Sequence, residues 1–598
     1  MPSDTTALQN AVFSPRFKLL LGFLALLYLI IAADLVDGII FLKDVDDEMR
    51  LLQIRQFLAS GNWFDLRLPA ISMPEIYFSP WSRLVDLPYV LLTYLFRLFL
   101  EPELALRLAT WVWPPAMLGL FAGLAFSTMV HLNGHDRPLR PIGVLVAVLV
   151  MALSAGEFSP GRIDHHNVQI VLMMMLAAGL VRWNARGGLM AGAAAALSIT
   201  VGLECLPFVA VAFAGLGLAF VLGLPGGRIF VRASGASMLV TALVSGLVFI
   251  GPQAIMATAC DAYSAPYIAA LCGFGIVLAA VSWFSNDQTT IVRRALWLLV
   301  PSASMTMLLI ALFPECAGGP YQMIDPVSKA FWFNRIMQEN NILYFRHDGA
   351  TGMTMLGLFC LLTVIAIFAR PGREDLRSDR AGALIVYAVA VSSLVLSILL
   401  IRYIRFPTAF VPLFIPVVLA RFEHLQQTKS RRYTTALLAA PVAVAAACIA
   451  VIYAVLPHKE QTFDAVFLMS IDSCDGEDFS VLASLPPGRI LSPLGMSLNI
   501  LNFGSPGLTV GAVPFHRASP GIRRSFIAFT TADPAERREA LAPFDYLAVC
   551  HMPLEVTGSE APLYAALAKD VAWPGFVPVA GGSDSRFRIF RIDHSALR

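Results

Sequence analysis

The sequence predicts a polytopic α-helical membrane protein that ends in a small extracytoplasmic α/β domain. Hydrophobic residues make up 57% of the chain and charged residues only 14%, and the mean hydropathy is +0.70. Soluble domains carry about 25% charged residues, so this composition excludes an ordinary soluble protein. Long apolar runs continue to residue 456, and the region after it carries short strand-like segments instead. These segments are Arg489–Leu491, Leu508–Val513, Tyr546–Val549 and Phe587–Ile592.

The net charge and the spacing of the cysteines argue against several classes of function. A net charge of +2 gives no sign of nucleic-acid binding. The eight cysteines include no C-x-x-C pair, so neither a zinc site nor a thioredoxin-type motif is indicated. Cys474 and Cys550 both lie in the C-terminal region. We predict that they form a disulfide, provided that this region faces an oxidising compartment.

The apolar runs predict about thirteen transmembrane helices. The first run, Phe17–Val36, follows Arg16 and Lys18 and lacks a small-residue cleavage site, so we expect it to be retained. The run Leu87–Leu100, of about 14 residues, is too short to span and suits a re-entrant or interfacial helix. The predicted spans lie near residues 17–36, 104–130, 141–157, 168–182, 189–203, 206–224, 234–252, 265–284, 295–313, 352–369, 381–401, 407–420 and 434–456.

Positively charged loops set the predicted topology, since such loops stay in the cytoplasm. The basic loops are His131–Arg140, Arg182–Arg186, Arg228–Arg232, Arg293–Arg294, Arg370–Arg380 and Arg421–Arg432. With a cytoplasmic N-terminus and a non-spanning Leu87–Leu100, all of them lie inside. The segments then left outside are 37–103, the turn at Asp164, the turn at Asp261, Pro314–Thr351, Arg402–Arg405 and 457–598. This shared sidedness predicts an outward-facing active site and a C-terminal domain that is periplasmic or otherwise extracytoplasmic.

The turn Ser159–Asn167 places an acid and two imidazoles between two apolar runs. Pro160 and Gly161 break any helix that arrives from upstream. Asp164 with His165 or His166 has the oxygen and nitrogen donors that bind a divalent metal. The alternative is that Asp164 caps the next helix while the histidines lie in the headgroup region.

Other polar residues on the predicted outer face are weaker candidates. Asp44–Glu48 contains carboxylates suited to a metal or a general base, or it is a solvated acidic loop. Glu339 is a further candidate ligand or an ordinary surface residue. Arg402 and Arg405 oppose the positive-inside trend, so they either bind an anionic partner such as a lipid phosphate or snorkel to the headgroups. Glu204 lies between two apolar runs, and we interpret it as an outer-turn residue that supports the site.

In order and spacing, these motifs resemble the catalytic subunit of oligosaccharyltransferases, which are GT-C membrane glycosyltransferases. Asp47 through Leu58 is similar to the D-x-x-x-N-x-R-x-x-x-x-L run of the family's first outer loop, with Leu51 and Gln53 replacing the Asn and the Arg. The run Asn62-Trp63-Phe64-Asp65 resembles the family's N-W-F-D.

The later motifs extend this resemblance over roughly residues 17–456. Gly161–His166 is similar to the second acidic motif, which in archaea reads D-H-H. Ile336–Glu339 resembles the S-V-S-E or T-I-x-E motif of the fifth outer loop. Arg405-Phe406 matches an R-F that contacts the lipid pyrophosphate in the family.

The resemblance implies a domain plan and a donor. Residues 1–456 would form the GT-C-like catalytic domain, with a first outer loop at about 37–103 and a fifth at about 314–351, and residues 457–598 the periplasmic domain. The implied donor is a sugar or oligosaccharide on a polyprenyl phosphate or diphosphate carrier. A divalent ion, Mn²⁺ or Mg²⁺, would be held by Asp47, Asp164 and His166, and the imidazole favours Mn²⁺.

The resemblance also implies roles for the remaining residues. Arg405, together with Arg402, would bind the donor phosphate. Asp47, Asp164 and Glu339 would be the catalytic carboxylates, with Glu339 or Asp47 orienting the acceptor. The family's Trp-Trp-Asp run has no counterpart after Pro457, so the acceptor stays open between a glycan, a lipid and a protein.

Two other function classes compete with the glycosyltransferase. A transporter or flippase of lipid-linked saccharides or small solutes would scatter polar residues through the bilayer centre, often with internal repeats. The sequence has no obvious repeat, and its polar clusters gather on one predicted face. A non-enzymatic assembly subunit would not need three acidic or imidazole motifs on that face. The sequence therefore favours the glycosyltransferase, with the transporter as the alternative.

Overall fold

The structure is a computed structural model that describes most of the chain. The described residues are 14–37, 44–134, 137–286, 288–346, 348–371, 380–428, 431–456, 464–552, 556, 558–579 and 585–597. The chain divides into two compact units. The membrane unit comprises residues 1–47, 81–317 and 341–458, and the sheet unit comprises residues 48–80, 318–340 and 459–598.

The membrane unit is built from apolar helices. Its principal helices are Pro15–Asp37, Asp86–Phe96, Pro102–Asn133, Pro141–Val150, Ala152–Gly156, His166–Arg182, Ala185–Val201, Leu206–Val221, Gly227–Phe249, Gly251–Met256, Ala265–Phe284, Ile291–Leu312, Gly349–Ala369, Ala381–Leu399, Arg405–Phe410, Ile415–Thr428 and Arg431–Val455. A helix Val45–Ser60 begins in this unit and ends in the sheet unit. The chain is therefore a polytopic helical protein, as the sequence predicts.

By length and composition, nine segments of the described chain are able to cross a membrane. They are 15–36, 102–133, 203–221, 227–249, 265–284, 291–312, 349–369, 381–399 and 401–424. Each coincides with a predicted span. The other four predicted spans fall on helices at 141–150, 166–182, 185–201 and 431–455. The first three have at most 17 residues, so the count of thirteen stays a prediction. The short helix expected at 87–100 is present as Asp86–Phe96.

Glycines allow the membrane helices to approach one another closely. A Cβ atom on Gly192 would lie 2.1 Å from the carbonyl oxygen of Ser234, and one on Gly235 would lie 2.7 Å from that of Gly275. Helices Ala185–Val201, Gly227–Phe249 and Ala265–Phe284 therefore pack with their backbones in contact. Such packing through small residues is the usual way in which helices associate in a bilayer.

The turn between Ala152–Gly156 and His166–Arg182 is fixed by local chemistry. Gly161 has a φ of +88°, a conformation that glycine adopts without steric cost. Its amide donates to the carbonyl of Thr110 at 3.1 Å, which ties the turn to the helix Pro102–Asn133. Asn167 Nδ2 closes the turn by donating to the carbonyl of Arg162 at 3.0 Å.

The sheet unit is an α/β fold around a seven-stranded mixed sheet. The strands are β1 (Arg67–Ser72), β2 (Ile76–Phe78), β3 (Gly488–Leu491), β4 (Leu508–Val510), β5 (Tyr546–Cys550), β6 (Phe576–Pro578) and β7 (Phe587–Ile592). Their order is β2-β1-β4-β3-β5-β7-β6, with β1, β4, β3 and β5 parallel and the outer pairings antiparallel. The helices are Pro326–Phe331, Ala465–Ile471, Ser497–Phe503, Ser519–Thr530, Pro534–Leu541 and Pro562–Ala568. The four predicted strand segments are confirmed as β3, β4, β5 and β7.

Two loop segments belong to the sheet unit together with the C-terminal region. Strand β1 pairs with β4 at Ile71 and Val510. Ser519 Oγ donates to Asp325 Oδ2 at 2.7 Å, and Arg335 Nη1 lies 3.1 Å from Asp464 Oδ1. The predicted division of the chain at residues 456 and 457 stays a prediction, and the sheet unit shows which loop segments contact the C-terminal region.

Two disulfides are present among the described residues. Cys474 and Cys550 are bonded, which confirms the predicted pair. Cys260 and Cys316 form a second bond that the sequence analysis did not anticipate. Their 56-residue separation includes two apolar helices, so nothing local in the sequence indicates the pairing.

Both disulfides should be found in the native protein, because the predicted topology places all four cysteines on the oxidising side of the membrane. We expect mass spectrometry of unreduced, thiol-blocked protein from native membranes to detect both cross-linked peptide pairs. Cys205, which is buried and unpaired, should be recovered as a thiol and serves as the control. Recovery of Cys474 and Cys550 as free thiols would contradict this prediction.

Candidate active site

Three donors that could hold a metal ion meet at the turn before helix His166–Arg182. Asp164, His165 and His166 each offer one ligand atom, and these atoms all lie within 4.8 Å of one another. All three residues are at most 5% exposed. Nδ1 of His165 contacts Asp164 Oδ1, and Nδ1 of His166 contacts Asp164 Oδ2. One carboxylate thus faces two imidazoles.

Helix capping does not explain this arrangement. The residue that precedes the helix is His165, and no side chain caps its first amides. Asp164 Oδ1 instead accepts a hydrogen bond from the amide of His165, at 2.5 Å. The alternative in which Asp164 serves as a helix cap is therefore not what the structure shows.

Glu204 approaches the imidazoles from a 3₁₀ helix, Leu203–Cys205. Its Oε2 lies 3.3 Å from His165 Nε2, and its Oε1 lies 3.9 Å from His166 Nε2. Gln169 Nε2 donates to Glu204 Oε2 at 2.5 Å. A Cβ on Gly202 would lie 2.8 Å from that same nitrogen, so a side chain at this position would displace the Gln169 amide. Carboxylates that orient histidine ligands in this way are usual around metal ions.

Asp47, from the first turn of helix Val45–Ser60, lies beside the same group. Its Oδ1 accepts a hydrogen bond from the amide of Asp164 at 2.9 Å. Its Oδ2 accepts from Arg162 Nη1 at 2.7 Å and from the amide of Asp44 at 3.0 Å. Asp47 therefore positions the main chain of Asp164, although 117 residues separate them in the sequence.

Arg162 forms a second ion pair with Glu157, which in turn lies near Arg405 at the start of helix Arg405–Phe410. Arg162 Nη2 donates to Glu157 Oε2 at 2.7 Å. The other oxygen of Glu157, Oε1, lies 3.6 Å from Arg405 Nη1. The carbonyl of Arg405 accepts a hydrogen bond from Ser154 Oγ at 2.8 Å. Asp47, Arg162, Glu157 and Arg405 thus form a buried row of alternating charge.

The pKa values of the turn reflect competition between burial and neighbouring charges. Burial raises the pKa of Asp47 to about 6, and the Arg162 guanidinium limits that rise. Burial opposes ionisation of Asp164, but the two imidazoles outweigh it and hold its pKa well below the usual range. Burial opposes the charged His165 ring, but Asp164 and Glu204 outweigh it and raise its pKa to about 10. Asp164 and His165 therefore form an ion pair at neutral pH.

The pKa of Arg162 is raised, because the attraction of Glu157 and Asp47 outweighs its burial.

The donor set fits a divalent metal. His165 Nδ1 and His166 Nδ1 are buried, and both contact the carboxylate of Asp164. A metal ion would take these two nitrogens and one carboxylate oxygen as its ligands. Two imidazole nitrogens and one carboxylate oxygen suit Mn²⁺ or Zn²⁺ better than Mg²⁺. Binding would require His165 to lose its proton.

The sequence-predicted site residues fall into both units. The membrane unit contains five of them, namely Asp47, Asp164, His166, Arg402 and Arg405. Asp47 accepts a hydrogen bond from the amide of Asp164, and the carboxylate of Asp164 contacts His166. Arg402 lies in the 3₁₀ helix Ile401–Tyr403 and interacts electrostatically with Glu204. Glu339 lies in the sheet unit, in the 3₁₀ helix Met337–Glu339. The roles of these residues, including Asp47 as a metal ligand, stay predictions.

Glu157 and Arg162 were missed by the sequence analysis, and His165 was not chosen as a ligand. A signal was available for Glu157, because it is the single acidic residue in the apolar run 141–157. Arg162 precedes Asp164 by two residues, so its charge within the turn was visible too. What the sequence could not give is the contact of Arg162 with Asp47.

The chain shares its fold with solved structures of an archaeal oligosaccharyltransferase. The sequence matches no protein-family model and no curated protein sequence.

Three solved structures from the archaeon Archaeoglobus fulgidus illustrate the shared fold. The oligosaccharyltransferase AglB in complex with an inhibitory peptide and a dolichol-phosphate has a TM-score of 0.59 and 12% identity, over 95% of this chain and 74% of that one. The apo oligosaccharyltransferase has a TM-score of 0.60 and 14% identity over the same shares. The complex with Zn and sulfate has a TM-score of 0.52 and 13% identity, over 91% and 68%. At these identities the likeness establishes the fold.

Metal binding by Asp164, His165 and His166 can be tested without any assay of activity. Purified protein should bind one Mn²⁺ ion tightly, as measured by electron paramagnetic resonance and metal titration after treatment with chelator. Asp164→Ala and His166→Ala should each weaken this binding by about 100-fold or more, because second-shell changes alone cost 10–100-fold.

The matched control is His131→Ala, since His131 contacts the carbonyl of Ser127 in the same unit and is not part of the donor group. Unchanged Mn²⁺ affinity in both site variants would show that Asp164 and His166 hold no metal.

Proposed function

We propose that the protein is a membrane glycosyltransferase of the GT-C type. It transfers a sugar or oligosaccharide from a polyprenyl phosphate or diphosphate carrier to an acceptor on the outer face of the membrane. The observation that carries this proposal is the buried Asp164–His165–His166 group, which lies in the same charge network as Arg405. The fold supports the proposal, since a solved protein with this fold binds a dolichol-phosphate.

Asp164 and His166 would hold the divalent ion, together with His165. Asp47 remains the predicted additional ligand, although Arg162 occupies one of its oxygens. When bound, such an ion supplies Lewis-acid stabilisation of the departing phosphate. Glu204 and Gln169 keep the imidazoles oriented toward Asp164. We favour Mn²⁺ over Mg²⁺ because of the nitrogen donors.

Arg405 would bind the phosphate of the donor, with Arg402 nearby on the same segment. A guanidinium group donates two parallel hydrogen bonds to phosphate oxygens. Ser154 fixes the main chain of Arg405, so its side chain approaches the phosphate from a rigid support. A fixed positive charge at this point stabilises the charge that develops on the leaving group.

The acceptor would be oriented by a carboxylate, for which Glu339 and Asp47 are the proposed residues. Burial raises the pKa of Asp47 to about 6, which suits a group that takes up a proton near neutral pH. The acceptor itself is a glycan, a lipid or a protein.

The proposed location is a bacterial inner membrane with the sheet unit in the periplasm. Two disulfides support an oxidising compartment, since such bonds are rare in the cytosol. The predicted positions of the basic loops support the same orientation.

Transfer should depend on the metal and on Asp164. We expect purified protein in detergent to transfer saccharide from a polyprenyl-diphosphate donor, and EDTA to stop the reaction until Mn²⁺ is returned. Asp164→Ala should lower turnover by about 100-fold or more while the protein still folds, whereas His131→Ala should not. Near wild-type turnover of Asp164→Ala that EDTA leaves untouched would refute a metal-assisted mechanism.

A further inference from the structure

Arg162 and Arg405 approach one carboxylate from two sides. Glu157 contacts Arg162 Nη2 at 2.7 Å through one oxygen and Arg405 Nη1 at 3.6 Å through the other. Both guanidinium groups are at least nine-tenths buried. Arg162 is also paired with Asp47 at 2.7 Å, whereas the contact of Arg405 with Glu157 is the longest in the row, so Arg405 is the cation with room for a closer anion.

The hydrogen bonds of these arginines are incomplete. Arg162 Nε, Arg405 Nε and Arg405 Nη1 are buried and make no hydrogen bond within the described ranges. The 3.6 Å contact of Arg405 with Glu157 is too long to be one. A phosphate has enough acceptor oxygens to engage both guanidinium forks, whereas one carboxylate does not.

Of the two carboxylates paired with Arg162, Glu157 has fewer hydrogen bonds within the described residues. Asp47 accepts three there, from Arg162 Nη1 and from the amides of Asp164 and Asp44. Glu157 accepts one, from Arg162. The carboxylate that an incoming anion can replace is therefore that of Glu157, while Asp47 stays and keeps Arg162 in position.

We propose that Arg162 and Arg405 form a single phosphate-binding site, that Glu157 occupies it, and that the phosphate of the lipid donor takes the place of Glu157. Arg162 is then a donor-binding residue in addition to Arg405. Glu157 acts as a resident competitor that raises the threshold for binding free phosphate. The identity of the ligand as a lipid-linked phosphate rests on the proposed function, whereas the two-arginine site rests on the contacts alone.

The test is the affinity of the full-length protein, in detergent, for a polyprenyl phosphate and for inorganic phosphate. Glu157→Gln keeps the size of the side chain and removes the competing charge, so it should bind both probes at least about tenfold more tightly than wild type. A merely structural role for Glu157 predicts the opposite sign, since the arginines would lose their support. Arg162→Gln should weaken binding by about tenfold or more, and Arg162→Lys should restore part of it.

Glu423→Gln is the matched control. Glu423 pairs with Arg140 at 2.6 Å in the same unit and touches none of these residues, so its loss should leave both affinities unchanged. Equal or weaker binding by a folded Glu157→Gln variant would overturn the inference, as would the failure of every variant to bind either probe.

The outcomes separate this inference from the proposed function. Wild-type transfer without tighter binding by Glu157→Gln would overturn the phosphate site and leave the glycosyltransferase standing. Tighter binding by Glu157→Gln in a protein that transfers no saccharide would support the phosphate site and contradict the proposed function.

Discussion

Burial of charge at the turn Ser159–Asn167 is the constraint on which the rest of the candidate site depends. Asp47, Asp164 and Arg162 are all withdrawn from solvent, and an ion can be buried only if it is paired and hydrogen-bonded. Removing one partner of such a pair typically costs about 3–5 kcal/mol. The surrounding helices therefore have to present opposite charges at fixed places.

The elements of the membrane unit meet this requirement by bringing their ends together. Asp47 comes from the start of one helix, Glu157 follows the end of another, and Arg405 begins a third. Glu204 lies in a short 3₁₀ helix between two longer ones. Helix ends suit such a site because their backbone groups are not used by the helix and the chain can change direction there. The helix interiors supply the rigid apolar packing, and the ends supply the chemistry.

The sequence predicted those features that depend on composition and local pattern. The apolar runs identified the nine long spans, and short strand-like segments in the C-terminal region identified β3, β4, β5 and β7. Strands β1 and β2 were missed because β1 contains Pro69, Pro74 lies between the two strands, and β1 also pairs with β4, which is distant in the sequence. Their strand state depends on tertiary contacts rather than on local propensity.

The residues of the candidate site were likewise predicted only where they form a local pattern in the sequence. Asp164 and His166 were visible as a cluster of donors in a turn between apolar runs. The pairing of Arg162 with Asp47 was not visible, because it joins residues 115 positions apart. Such a contact is fixed by the packing of the helices, and a single sequence carries no record of it. The second disulfide was missed for the same reason.

A cryo-electron microscopy structure of the full-length protein with Mn²⁺ and a polyprenyl-diphosphate saccharide would locate both the metal and the donor. We predict density for an ion among Asp164, His165 and His166, and density for the donor phosphate within hydrogen-bond distance of Arg405. Donor density elsewhere in the molecule, with no ion at this group in saturating Mn²⁺, would contradict this prediction.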